Sequence, residues 1–102
     1  PTVLFNQAGP SVAKGSTLTG MVSDPASSVW TYTITVETSP GNSNGAGNST
    51  KRTTTTVKCN GISNCVWSLP LSNGKATHKV TISAVDVAGN AGAPVTRTFN
   101  AA

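Results

Sequence analysis

Residues Val80–Asn90 read Val-Thr-Ile-Ser-Ala-Val-Asp-Val-Ala-Gly-Asn. Val80, Ile82 and Ala84 fall on one side of a period-two strand, and Thr81, Ser83 and Val85 on the other. One side is apolar; the other is small and largely hydroxylated. An antiparallel sheet with one buried and one wet face has this pattern. Asp86 closes the apolar row. Asp and Asn disfavour strands and bond to nearby backbone, and Gly89 accepts a positive φ. The chain therefore reverses here, before Pro94-Val-Thr-Arg-Thr-Phe99 starts another strand.

Working outward, the composition agrees with that strand. Charged residues are 10% of the 102-residue chain, against about 25% in an average domain. Threonine, serine, glycine and asparagine replace them, and they favour strands and turns over helices. No eleven-residue window has helical periodicity, so the class is all-β. The length suits one domain. The net charge of +4 comes from seven basic and three acidic residues. Lys51, Arg52 and Lys58 form the one loose basic cluster, too sparse for a nucleic-acid site. No run of eighteen apolar residues offers a membrane span. The chain opens without a signal peptide or initiator Met and reads as a piece of something longer.

The other strands follow by the same rule. Thr2–Phe5 is short and ends at Asn6-Gln-Ala-Gly-Pro10. Ser16–Ser23 carries Leu18, Gly20 and Val22 on one face and stops at Asp24-Pro25. Val29–Glu37 is the strongest signal: Trp30, Tyr32, Ile34 and Val36 line one face, and Val29, Thr31, Thr33 and Thr35 the other. Ser39–Asn48 cannot bury anything and reads as a mobile loop. Thr50–Lys58, with its run of threonines, reads as an edge strand. Asn60-Gly61 begins a turn, and Val66–Leu69 returns. Leu71-Ser-Asn-Gly-Lys75 is another turn. Ala76–Val87 and Val95–Phe99 complete about seven strands. Turns every eight to twelve residues favour a two-sheet antiparallel sandwich over a small open barrel.

Cys59-Asn-Gly-Ile-Ser-Asn-Cys65 sets two cysteines across a short turn. One histidine in the chain leaves no zinc site, and the spacing is not that of a redox pair. A disulfide clamping a hairpin is the expected state, and it places the protein outside the cytosol. Counting outward from that bridge sets Val57 opposite Trp67 as a core pair. Trp30, in the middle strand, is also expected in the core, although Trp30, Tyr32 and Trp67 together could form a sugar-stacking platform. His78 and Asp86 share a strand face about 27 Å apart and form no dyad. A Ser39, His78 and Glu37 set lacks held geometry; a Glu37–Lys79 salt bridge is the ordinary expectation. Asn48-Ser-Thr50 is a glycosylation sequon by pattern only.

Four segments carry a resemblance: Leu18-Thr-Gly-Met-Val-Ser-Asp24, Trp67-Ser-Leu69, Asn73-Gly74 and Val80–Asn90. Together they resemble the bacterial immunoglobulin-like domains of large surface and secreted proteins. The likeness covers most of Leu18 to Phe99 and lapses across Ser39–Lys58. The Cys59–Cys65 bridge is not part of the family pattern. The resemblance implies a non-catalytic immunoglobulin-like sandwich, residues 1–102. It would act as a spacer or adhesion unit, or as an accessory domain of a secreted enzyme. The competing expectation is a carbohydrate-binding module. Its partners would be neighbouring domains of the same polypeptide, a polysaccharide or a host surface ligand, and the isolated domain is expected as a monomer. Its place would be the cell surface, the extracellular space or the periplasm. Some family members bind calcium near domain junctions, which the resemblance carries to Asp24, Asp86 and Asn90. Two carboxylates fall short of the six to eight oxygens Ca²⁺ takes unless a neighbour adds more. Family topology also puts Asp24, the Cys59–Cys65 turn and the Asp86–Asn90 turn at one pole. Glu37, His78 and Asn73-Gly74 would lie at the other.

Overall fold

A computed structural model describes residues 1–7, 9–24, 26–40 and 50–102. Eight strands occur among them: β1 (Thr2–Phe5), β2 (Ser11–Val12), β3 (Thr17–Ser23), β4 (Val29–Pro40), β5 (Lys51–Ile62), β6 (Asn64–Pro70), β7 (Ala76–Asp86) and β8 (Val95–Ala101). They form a three-stranded sheet, β1-β3-β6, and a five-stranded sheet, β2-β8-β7-β4-β5. The two pack face to face as an all-β sandwich, as the strand spacing predicts. Of the expected Ser39–Asn48 loop, Ser39 and Pro40 are the last residues of β4, and the rest lies outside the described residues. The same holds for Asn48 and Ser49 of the sequon.

The alternation read from β7 is realised along its whole length. Ala76, His78, Val80, Ile82, Ala84 and Asp86 are buried, and the residues between them are not. Leu18, Gly20 and Val22 of β3 face the same core from the opposite sheet. Trp67 is 1% exposed; its indole N–H donates to the Leu4 carbonyl at 3.1 Å, and its ring meets Phe5 edge-on at 5.0 Å. Such rings and branched side chains each contribute about 1.5–3 kcal/mol by leaving water. Phe5 also meets Phe99, and the Arg97 guanidinium lies 5.5 Å over the Phe5 ring. That cation–π contact closes the β8 side of the core. The opposite surface of the five-stranded sheet is a threonine ladder: Thr33 with Thr56, Thr35 with Thr54 and Thr81 with Thr96 share hydroxyl hydrogen bonds across strands.

Trp30 is not in the core. It is 47% exposed, and Val29 is fully buried instead. Val29 pairs with Asp86 and Thr31 with Val85, so Trp30 is one residue too many on β4. An extra residue in one strand of a pair shifts the in–out parity of everything before it. Val29 therefore shares the inner face with Tyr32 and Ile34, and Trp30 is turned out.

The expected β5–β6 hairpin is also absent. β5 pairs with β4, and β6 pairs with β3 in the other sheet. Val57 accordingly lies opposite Tyr32, and Trp67 opposite Gly20. Asn60 and Gly61, with φ of 58° and 87°, sit inside β5 and bend it, and the chain changes sheet at Ser63. The Cys59–Cys65 disulfide forms, with its Cα atoms 6.0 Å apart. It ties the ends of two sheets rather than the two arms of one hairpin.

Candidate functional site

The two poles that the family topology implies are real. At the first, Val29 lies level with both Asp86 and Ile62, Asp24 N–H donates to the Ser63 carbonyl at 3.0 Å, and the disulfide closes the end. At the second, Thr38 pairs with His78, Glu37 with Lys79, and Gly15 N–H donates to Ser72 O at 3.0 Å.

Asp24 and the Asp86–Asn90 turn both lie at the first pole, and each carboxylate is held by its own local turn. Asp86 Oδ1 accepts the amides of Ala88 (3.0 Å) and Asn90 (2.8 Å), and Oδ2 accepts the Asn90 side-chain amide at 3.3 Å. The Asn90 backbone amide is the main cause holding the Asp86 carboxyl below its ordinary value, because a hydrogen bond to the charged form favours it. Gly89, at φ 90°, lets the turn close on the carboxylate. Asp24 Oδ1 likewise accepts Ser27 N–H at 3.0 Å, and its Oδ2 lies 3.5 Å from the Pro1 nitrogen. Among the described residues no three His, Cys, Asp or Glu side chains converge. A cation here would have to take oxygens from turn amides.

The second pole holds a feature the sequence did not announce. A groove of about 410 Å³ opens between the sheets, within the range of ligand pockets. Tyr32, Ile34 and Val36 of β4 floor it. Thr53, Thr55 and Val57 of β5 form one wall, and Ser68 to Ser72, at the end of β6, form the other. Thr53 and Thr55 are exposed although they point inward by register, opposite Val36 and Ile34. The sandwich is thus closed by the disulfide at one pole and splayed at the other. Among the described residues no lining side chain carries a formal charge.

His78, only 2% exposed, sits at the inner end of this groove. Thr38 Oγ1 lies 2.9 Å from its Nδ1, and Nε2 is buried with no partner among the described residues. Burial pushes the imidazole below its usual pKa, so the ring is neutral near pH 7. Glu37 and Ser39 lie on the outer side of β4, opposite Lys79 and Thr77, and His78 on the inner side. The sheet itself keeps Ser39, His78 and Glu37 apart. Glu37 and Lys79 are cross-strand partners but form no ion pair. Of the three rings weighed as a sugar platform, Tyr32 and Trp67 are buried and Trp30 alone is exposed.

The groove leaves only a faint mark in the sequence. Thr53 and Thr55 stand where a covered strand would carry apolar residues. Compared with protein-family models and with curated proteins, the chain matches none.

Proposed function

We propose that this chain is a non-catalytic immunoglobulin-like module of a bacterial extracellular or surface protein. It works as a spacer or adhesion unit, or beside a secreted catalytic domain. The observation that carries this reading is the path of the chain. β1 begins at the first pole, where Thr2 pairs with Ser23, and β8 ends at the second, where Ala101 pairs with Ala76. The body between is 48 Å long against 22 and 18 Å across. A module entered at one pole and left at the other adds its full length to a stalk. A bridge between the sheets and a hydroxyl-rich, sparsely charged surface suit the same role: the first supports folding in an oxidising compartment, and the second hydrates the surface with few charges.

Small-angle scattering on one, two and three tandem copies tests this. Maximum dimension should grow in steps close to the 48 Å axis. Copies that fold back into a compact particle rule out a spacer. Retention of the single module on insoluble polysaccharide would favour the carbohydrate-binding alternative.

A further inference from the structure

Among the described residues, the splayed end of the sandwich combines three features: an uncovered inner wall, an apolar floor and a free strand edge. The hydrogen bonds Leu71 N–H to Ser16 O (2.8 Å) and Asp24 N–H to Ser63 O (3.0 Å) fix the phase of the β3–β6 ladder. Backbone groups alternate sides along an antiparallel strand. Residues 63, 65, 67, 69 and 71 therefore turn theirs toward β3. Val66 and Ser68 turn both N–H and C=O toward the other side, where β6 has no neighbouring strand among the described residues. Pro70 contributes only its carbonyl there, and an outward-facing edge position is where a strand tolerates proline.

Free edges are usually blunted by charge. The neighbouring edge, β5, carries Lys51, Arg52 and Lys58; β6 carries no charged residue at all. From this difference we propose that β6 accepts an extended peptide strand, which completes the three-stranded sheet over the groove. The new strand's alternate side chains would point inward past Leu69, over Ile34 and Val36, and cover Thr53 and Thr55. A cavity of roughly 150 Å³ accepts one benzene ring, so 410 Å³ takes two or three branched or ring side chains. That is the inward share of a strand of about five residues. The uncharged lining excludes ionised side chains from those inward positions. Lys51, on the groove side by its pairing with Thr38, favours an acidic residue at that end of the peptide. The occupant is thus a short extended segment, apolar at alternate positions and acidic at one end, bound by strand addition.

The test uses the whole module and the peptide acetyl-Glu-Thr-Val-Thr-Val-Thr-Val-amide, whose Glu shares the inward phase of the valines at the Lys51 end, with an N-methylated twin that cannot donate to β6. Hydrogen exchange read by NMR should show the Val66 and Ser68 amides gaining protection as the first peptide is added. The N-methylated twin should bind about tenfold or more weakly, through lost edge hydrogen bonds. Ser68→Pro, at an exposed position whose N–H points away from β3, should weaken binding to the same degree, and Ser68→Ala should not. Equal binding of the two peptides overturns the proposal. So do groove shifts without protection of Val66 and Ser68, which would mark a small-amphiphile pocket, and so does pairing of two modules through β6 in place of the peptide.

Discussion

Thr38 Oγ1 lies 2.9 Å from His78 Nδ1 across the β4–β7 pair, and the other ring nitrogen has no partner among the described residues. The folded protein holds this ring neutral, with its pKa lowered by burial. The unfolded chain protonates it near its ordinary value of about 6.5. Above that value neither state binds the proton, and stability is full. As pH falls below it, the unfolded chain gains the proton first and stability declines, until the lower folded pKa is reached. Denaturant midpoints between about pH 7.5 and 5.5 should therefore fall with pH. His78→Phe should flatten that slope. Equal slopes in the two proteins would show that His78 is not the group responsible.

The Cys59–Cys65 bridge closes a separation of six residues. By loop entropy it should stabilise by about 2–3 kcal/mol. Its effect reaches further than the loop, because it holds β5 of one sheet to β6 of the other at the closed pole. Intact mass should be two hydrogens short of the reduced value. The Cys59→Ala/Cys65→Ala double variant should lose that stability in urea. Exchange protection should fall first at the β5–β6 end; a uniform loss would mean the bridge acts on the unfolded chain alone.

How much of this was legible follows from what each feature leaves in the sequence. β7 and β3 write their two faces as a simple alternation, so their burial could be read residue by residue, whereas the apolar run Val3-Leu-Phe5 of β1 does not show that Leu4 faces out. Asp86 and Gly89 announce a turn through chemistry local to five residues. The bulge at Trp30 has no such trace, since one inserted residue leaves the letters unchanged and reverses only which of them face inward. The change of sheet at Ser63 is equally silent. Two short strands joined through Asn60-Gly61, with a cysteine on each side, read as a hairpin whether or not they pair. β2, at two residues, is below any periodicity. The groove depends on β6 diverging from β5, a relation between segments that neither segment encodes alone.

Gly20 sits between the Leu4 carbonyl and the Trp67 ring, and a Cβ placed there would overlap both. Gly20 and Trp67 are direct cross-strand partners, so the missing side chain is what lets the indole lie flat on β3 and reach Leu4. Gly20→Ala should cost about 3 kcal/mol or prevent folding, at or beyond the usual upper range for overpacking. Gly74, which meets nothing within 4 Å, is the control: Gly74→Ala should stay within about 0.5 kcal/mol of the parent.

The Asp86 carboxylate already accepts three hydrogen bonds from Ala88 and Asn90. Its folded pKa is lowered chiefly by the Asn90 amide, so its stabilisation is complete above the unfolded value. It is lost as pH falls through and below about 3.9. Asp86→Ala should lower the melting temperature at neutral pH and remove that acid limb. Millimolar calcium should leave the melting temperature of the single module unchanged, because a cation must displace those amides. A rise of several degrees would restore Asp24, Asp86 and Asn90 as ligands, and repeating the titration on tandem copies asks whether a neighbour supplies the rest.

The bulge in β4 makes opposite demands on adjacent residues. Val29 is fully buried against the core, whereas Trp30 is 47% exposed on the far side of the sheet. Simple alternation from Tyr32 would exchange them. Val29→Ala removes packed methyl groups and should cost about 2 kcal/mol. Trp30→Ala, despite deleting one of the two largest side chains in the protein, should change stability by less than about 1 kcal/mol. Its indole emission should also lie to the red and be quenched readily by acrylamide, while that of Trp67 should not. If Trp30→Ala proves the costlier change, or if Trp30 resists quenching, the strand runs without its extra residue. The pairing of Val29 with Asp86 would then be wrong by one place, and the alignment of the first pole with it.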